Sequence, residues 1–334
     1  MKRTHGGDVW RAGAPDKWLD FSANLAPEGP PDWALDALCE AMGAVQYYPD
    51  ELGTLAARGL AAHLGVDERC VLATAGGAEA IALAGALAGG HVVTEPAFCE
   101  YAGAIGERPC VHVARAALDA FALPRGANVW LCNPCNPTGE AFSREKVLAL
   151  WDRVRAAGGR LVVDEAFIDY CPEISVRDQA QGARSLIVLG SMTKALCVPG
   201  VRLGYLLSHP ETLAQLKKER LSWTLNCFAA QLSARLPGHA AYFARIAAQN
   251  ALRRDAFGAG LAQLGVKVYP SRANFLLVRL EKPAPTVAAA LEEKGILVRP
   301  CEDFAGLNDG HHLRLAVRSE GENARMLAAL AGIL

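Results

Sequence analysis

Residues 186–205 read LIVLGSMTKALCVPGVRLGY, and this stretch decides the fold. Leu186 to Leu189 form a short buried-strand pattern, and a second follows from Leu203 to Leu207. Between them stands Lys194, with hydroxyls at Ser191 and Thr193 and an arginine, Arg202, eight residues on. A lysine at a strand end is ordinarily a solvated charge. Held in a dry site it would instead be neutral and nucleophilic, the form that adds to a carbonyl carbon. Ser191, Thr193 and Arg202 then suit a phosphate beside it, the guanidinium through a charge-assisted fork.

The same short apolar runs recur upstream, at Val71–Thr74, His91–Thr94, Val111–Val113, Val129–Cys132 and Leu161–Asp164. Helical periodicity fills Glu79–Leu87 and Ser143–Ala157, with Ser143 placed as an N-cap. Short strands alternating with helices predict an α/β fold with a mostly parallel, seven-stranded sheet covered on both faces. Ligands of such sheets sit outside the carboxyl ends of the strands. A long helix is expected from Leu213 onward. A smaller α+β unit should follow, with strands at Phe275–Leu280, Ile296–Arg299 and His312–Val317, a helix at Thr286–Lys294 and a last helix from Glu320. The N-terminal residues lack a strong period. The expected organisation is an arm at 1–45 packing on the small domain and active site, a large domain at 46–225 and a small C-terminal domain at 226–334.

The chain has 334 residues, with 34 Lys+Arg against 35 Asp+Glu, a net charge of -1 that argues against nucleic acid or a membrane surface as partner. With 51% hydrophobic and 21% charged residues it has the composition of a globular protein. Its uncharged run Ala80–Gly90 is too short to span a bilayer, which takes ~20 residues. The opening MKRTHGGDVW lacks an apolar signal-peptide core, so the 10 cysteines read as thiols of a cytoplasmic protein. Cys132 and Cys135 have C-x-x-C spacing, but no second Cys/His pair lies nearby and prolines surround them; no metal is expected.

Three further segments carry chemistry. Gly76-Gly77-Ala78-Glu79 follows a strand and opens a helix, so first-turn N–H groups can face an anion; alone it would be a tight connection. Asn133-Pro134-Cys135-Asn136-Pro137-Thr138-Gly139 ends a strand in a rigid turn. Asp164 closes the apolar run Leu161-Val162-Val163, and a buried carboxylate needs a cationic or hydrogen-bonding partner, which a protonated pyridine nitrogen would be; an N-cap is the plainer alternative.

The ordered set GGAE, PAF, NPCNPTG, DEAF, SMTK and GVRLGY resembles the pyridoxal-phosphate (PLP) enzymes of aspartate-aminotransferase fold type I, over nearly the whole chain. The resemblance implies that Lys194 carries the cofactor covalently, that Asp164 keeps the pyridine nitrogen protonated, that Asn136 bonds the ring hydroxyl and that Phe98 stacks on the ring. It implies a phosphate cradle of Ser191, Thr193, Arg202 and the backbone of Gly77 and Ala78. Many relatives have a tyrosine where this chain has Phe167, which cannot donate to the ring oxygen. Within the fold type the chain looks most like the histidinol-phosphate aminotransferase branch. Its Thr4-His5-Gly6-Gly7-Asp8 start and its DEAF in place of DEAY point, inside that branch, to decarboxylation of L-threonine O-3-phosphate. Transamination of histidinol phosphate is the alternative, and a non-catalytic binding module is disfavoured because Lys194, Asp164, Asn136 and Arg202 occur together. The resemblance further implies that His5, Gly6, Asn24, Arg299 and Arg314 bind a small phosphorylated amino acid. Tyr48 would reach the cofactor phosphate of a neighbouring subunit in a homodimer with shared active sites.

Overall fold

The computed structural model describes residues 5–12 and 14–334; Thr4, the first residue of the opening motif, lies outside them. A two-residue strand, β1 (Leu19–Asp20), precedes helices α1 (Asp32–Ala41) and α2 (Thr54–Leu64). Seven strands follow: β2 (Val71–Ala75), β3 (His91–Glu95), β4 (Cys110–Ala114), β5 (Asn128–Cys132), β6 (Arg160–Asp164), β7 (Leu186–Ser191) and β8 (Leu203–Leu207). Helices α3 (Gly76–Gly85), α4 (Glu100–Ile105), α5 (Arg144–Ala156) and α6 (Arg177–Ala180) separate them. Then come α7 (Pro210–Lys217), α8 (Cys227–Arg235) and α9 (Ala240–Gln263). The chain closes with β9 (Lys267–Val268), β10 (Phe275–Arg279), α10 (Ala284–Glu292), β11 (Ile296–Leu297), β12 (Arg299–Pro300), β13 (His312–Ala316) and α11 (Glu320–Ala331).

The large sheet runs β2-β8-β7-β6-β5-β3-β4. Only β8 opposes its neighbours; the β7–β6, β6–β5, β5–β3 and β3–β4 pairs are parallel. The central strands β5 and β7 are buried at every position, as a sheet covered on both faces requires. Because β8 is reversed, its start lies at the same edge as the carboxyl ends of the other six strands. The register there sets Ala75 opposite Leu203, Ser191 opposite Gly204, and Cys132 opposite Asp164. A four-stranded antiparallel sheet, β12-β13-β10-β9, and the parallel pair β1-β11 make up the remaining strand pairing.

The expected strands of the large sheet are all present, and Ser143 caps α5 by accepting the Lys146 N–H at 3.3 Å. Helix α3 opens at Gly76, as the GGAE segment led one to expect, and the Glu79 carboxylate reaches back to accept the Ala75 N–H. Three expectations are corrected. The single helix from Leu213 is three helices, α7 to α9. The chain turns between α7 and α8 through Trp223 at φ 57°, Asn226 caps α8 by accepting the Ala229 N–H, and Pro237-Gly238 interrupts the next helical run. The segment Ile296–Arg299 is split between two sheets: Ile296 and Leu297 pair with the arm strand β1, while Arg299 and Pro300 pair with β13. The N-terminal segment contains a regular helix, α1, in which Trp33, Ala34, Ala37, Leu38 and Ala41 recur at helical spacing and turn one side to the core.

The arm bridges two cores. Phe21 packs with Phe257, Leu276 and Leu313 of the C-terminal unit, whereas Ala34 and Ala37 of α1 pack with the large-sheet core. Helix α8 buries Ala229 and Leu232 in the large-sheet core, and α9 spans both, with Ile246 in one and Phe257 in the other. Among the described residues no helix is long and apolar enough to cross a membrane.

Candidate active site

A cavity of about 300 Å³ opens at the strand edge where the register collects Ser191, Asp164 and the start of α3. On the α3 side, Gly77 and Ala78 lie in a first helical turn whose N–H groups have no intrahelical acceptor. Two close approaches shape this corner. A Cβ on Gly204 would stand 2.6 Å from the Gly76 carbonyl carbon, so only glycine lets β8 abut the helix start. Gly76, at φ +75°, lies against Arg202, whose Nη2 would be 2.6 Å from a Cβ there. Facing them, Ser191 Oγ and Thr193 Oγ1 are buried and 2.8 Å apart. Arg202 is exposed at the rim and donates to the Pro199 carbonyl at 3.0 Å.

Asp164 is buried at the floor. Its Oδ2 accepts the Tyr101 hydroxyl at 2.6 Å and its Oδ1 accepts the Ala166 N–H at 2.9 Å. Burial raises its pKa, while Tyr101, the Ala166 N–H and Lys194 pull it back. Lys194 follows β7, and burial lowers its ammonium to about 8, with the Arg314 and Arg202 charges adding to the effect and Asp164 opposing it. Asn136 is fixed from above: Arg314, which has only donors, gives Nη1–H to Asn136 Oδ1 at 2.6 Å, so the Asn136 amide nitrogen is left to donate elsewhere. The turn carrying Asn136 is tied down by Asn133, whose Oδ1 accepts from the Phe142 N–H and from buried Arg115.

The opposite wall comes from the small sheet and the arm. Arg299 on β12 and Arg314 on β13 are cross-strand neighbours, both buried. Arg299 donates from Nη2 to both carboxylate oxygens of Asp303, at 2.8 and 2.6 Å. Arg314 donates Nη2–H to the Ser22 carbonyl at 2.6 Å; burial lowers its pKa to about 10, with Arg299 contributing. The Ser22 bend is held by Asp20, whose Oδ1 accepts the Ser22 N–H, the Ser22 hydroxyl and the Ala23 N–H. Gly6 packs on that bend, and His5 contacts Glu100 at 3.1 Å across the mouth. Asn24 Oδ1 and Arg314 Nε are buried without a partner among the described residues.

The structure thus brings together all but one of the expected site residues. Tyr48 stands apart: it is 86% exposed, 5.5 Å from the Trp223 ring, beside a separate cavity of about 660 Å³ between α1, α2 and α8. Phe167 lines the lysine cavity and lies edge-on to Phe275, 5.0 Å away. The sequence reading gave no role to Tyr101, Ser22, Asp20, Arg115 or Asp303. Only Tyr101 left a signal, an aromatic three residues after Phe98, and the two rings meet edge to face at 6.2 Å. Cys132 and Cys135 direct their thiols at backbone carbonyls, of Pro134 and Pro96, and both are free.

Lys194, Arg202 and Arg314 converge around a single buried carboxylate, which leaves room for an anion, and the glycine-lined helix start beside paired hydroxyls suits a phosphate. A lysine of lowered pKa, a buried carboxylate and a phosphate cradle at the strand edge of this fold define a pyridoxal-phosphate enzyme of fold type I. The chain belongs to the aminotransferase class I and II family, whose sequence profile spans residues 16–333. It is similar to the threonine-phosphate decarboxylase of Salmonella typhimurium, 32% identical over 354 aligned positions that cover 99% of this chain and 96% of that protein. It is also similar to a histidinol-phosphate aminotransferase of Mycobacterium bovis, 33% identical over 314 positions covering 90% and 84%. The fold matches that of the histidinol-phosphate aminotransferase from Sinorhizobium meliloti in complex with pyridoxal-5'-phosphate, with a TM-score of 0.80 at 24% identity over 93% of this chain and 89% of that one. The protein is a PLP-dependent enzyme of the decarboxylase and aminotransferase kind.

Proposed function

We propose that the enzyme decarboxylates L-threonine O-3-phosphate to (R)-1-amino-2-propanol O-2-phosphate, a building block of cobalamin. The observation that carries this reading is the second wall of the cavity: two buried, adjacent arginines closed over by the arm, in a space of about 300 Å³ that has to serve cofactor and substrate together. Like charges directly opposite in a sheet repel, so the pair favours a ligand bearing two anionic groups. L-Threonine phosphate supplies both anions, a phosphate and a carboxylate, on one four-carbon frame; an aminotransferase would use the pair for the two carboxylates of 2-oxoglutarate and would need room for the imidazole of histidinol phosphate as well. The 32% identity with a threonine-phosphate decarboxylase over nearly the whole chain supports the same choice.

When bound, PLP supplies an electron sink for the pair left at the substrate α-carbon. In the proposed site Asp164 holds a proton on the ring nitrogen, the Asn136 amide donates to the ring oxygen, Phe98 covers the ring, and Ser191, Thr193, Arg202, Gly77 and Ala78 hold the phosphate. Arg299 and Arg314 take the substrate's two anions, with His5, Gly6 and Asn24 shutting out water. The Lys194 Nζ delivers a proton to the carbon that has lost carbon dioxide. The exposed apolar surface at Tyr47, Tyr48, Leu52 and Trp223 supports a homodimer in which Tyr48 serves the partner's cofactor phosphate. We place the enzyme in the cytoplasm. We divide the chain into the arm, a large and a small domain, and assign α1 and α8 to the large one because their buried faces pack in its core.

The test is to incubate purified holoenzyme with L-threonine phosphate and no keto acid, and to assay carbon dioxide and aminopropanol phosphate. Both products are expected in equal amounts. No product, together with turnover of histidinol phosphate once 2-oxoglutarate is added, would replace this reading with the aminotransferase one.

A further inference from the structure

Two groups of the cofactor site flank the start of the short helix α4. Phe98, just before the helix, lines the cavity; Tyr101, three residues on, is 1% exposed and lies behind it, the two rings edge to face at 6.2 Å. Tyr101 cannot swing away. Its ring packs on Trp130 at 5.1 Å, and the Trp130 indole is itself held by donating to His91 Nδ1 at 3.0 Å. The tyrosine hydroxyl, beside the Cys132 thiol, donates to Asp164 Oδ2 at 2.6 Å, while the Ala166 N–H takes Oδ1. Each carboxylate oxygen keeps a lone pair for one more partner on the cavity side.

We propose that Tyr101 is a positioning residue that acts through Asp164, keeping this carboxylate ionised and aimed so that the proton stays on the ring nitrogen of the bound cofactor. The reasoning is a balance. A carboxylate buried this deeply tends to take up a proton, and it would take it from the ring, leaving a neutral pyridine that withdraws electrons poorly. A hydroxyl donor stabilises the anion against that transfer. The other titratable groups around Asp164 are Lys194 and the Cys132 thiol; burial and the Asp164 charge hold that thiol protonated and Tyr101 neutral, so Tyr101 remains a donor throughout the working pH range. The proposal rests on the reading of Asp164 as the partner of the ring nitrogen.

Tyr101→Phe keeps the ring packing and removes only the donor. In the holoenzyme, the pH midpoint of the visible absorbance change should move upward, because a less protonated ring stabilises the deprotonated lysine adduct less. Turnover should fall roughly tenfold, the value of one hydrogen bond to a charged group, with KM within about twofold. Replacing Tyr101 by 3-fluorotyrosine, a stronger donor of nearly the same shape, should move the midpoint the other way. An unchanged or lowered midpoint in Tyr101→Phe, or no opposite shift with the fluorinated residue, overturns the proposal even if turnover drops. Asp164→Ala separates the two readings: if its absorbance titration matches the wild type, the assignment of Asp164 has failed, whereas a perturbed Asp164→Ala beside an unperturbed Tyr101→Phe defeats the role of Tyr101 alone.

Discussion

On the wall of the cavity formed by the large sheet, the polar groups are held by neighbours of that same wall: Ser191 by Thr193, Asp164 by Tyr101 and Ala166, and the Asn133 turn by Arg115. On the wall formed by the small sheet and the arm, two arginines stand side by side, and part of the charge is met from elsewhere, by a backbone carbonyl of the arm and by Asn136 of the other wall. The first wall is complete without a substrate. The second sets its two arginines against the Asp303 and Asp20 carboxylates, yet keeps a buried Arg314 Nε with no partner among the described residues, so donor capacity is left for an incoming anion. Preorganised groups suit a cofactor that stays; donors left unsatisfied suit a substrate that comes and goes. The difference assigns general PLP chemistry to the sheet wall and substrate choice to the arm wall.

The largest effect should come from the sheet wall. Lys194→Ala removes the only proposed covalent attachment, so covalent retention of PLP should be lost and turnover should drop by about a thousandfold or more. Because the phosphate cradle and Asp164 remain, PLP should still bind without a covalent bond, as seen by equilibrium dialysis. Retained turnover with a retained covalent adduct would show that the lysine is misassigned and would undo the comparison at its root.

The arm wall is tested by truncating its arginines one at a time. Removing one member of a buried, hydrogen-bonded charge pair costs about 2–5 kcal/mol, so Arg314→Ala and Arg299→Ala should each lower kcat/KM by roughly thirtyfold or more, with Arg314→Ala the more severe. The two should differ in a second readout. Arg314 also orients Asn136, so its loss should weaken PLP binding; Arg299 is held by Asp303 on its own wall, and its loss should leave PLP affinity unchanged. Equal effects of the two variants on PLP affinity would mean that the walls are not separable in this way.

The same division decides what the sequence made legible. Strands β5, β6 and β7 are buried on both faces, so they stand out as unbroken apolar runs and Asp164 can be seen closing one of them. Lys194, Asn136 and the phosphate cradle lie at strand ends, where a local motif and its position in the sheet coincide. The arm wall gives no such local sign. That Arg299 faces Arg314 depends on an antiparallel register between strands 15 residues apart at those positions, and Arg314 meets Ser22 across 292 residues of sequence. Helix α1 was legible and passed over, since Trp33, Ala34, Ala37, Leu38 and Ala41 recur at helical spacing; Tyr101 escaped because its partner lies 63 residues away on another element.

The smallest expected effect measures how strongly the walls speak to each other. Burial is the first cause of the lowered Lys194 pKa, and Arg314, from the opposite wall, is the second. Only the neutral amine captures an aldehyde. The rate at which apoenzyme takes up PLP should therefore rise about tenfold per pH unit below a midpoint near 8 and level off above it, where an ordinary lysine would keep gaining up to its unperturbed value of about 10.4. In Arg314→Gln one repelling cation is gone, which favours the ammonium, so the midpoint should move upward and uptake at pH 7 should slow. Burial remains, and the shift should stay under about one unit, a few-fold in rate. A midpoint that does not move would mean that the Arg314 charge is screened from Lys194, and the two walls would then be electrostatically independent as well as separately built.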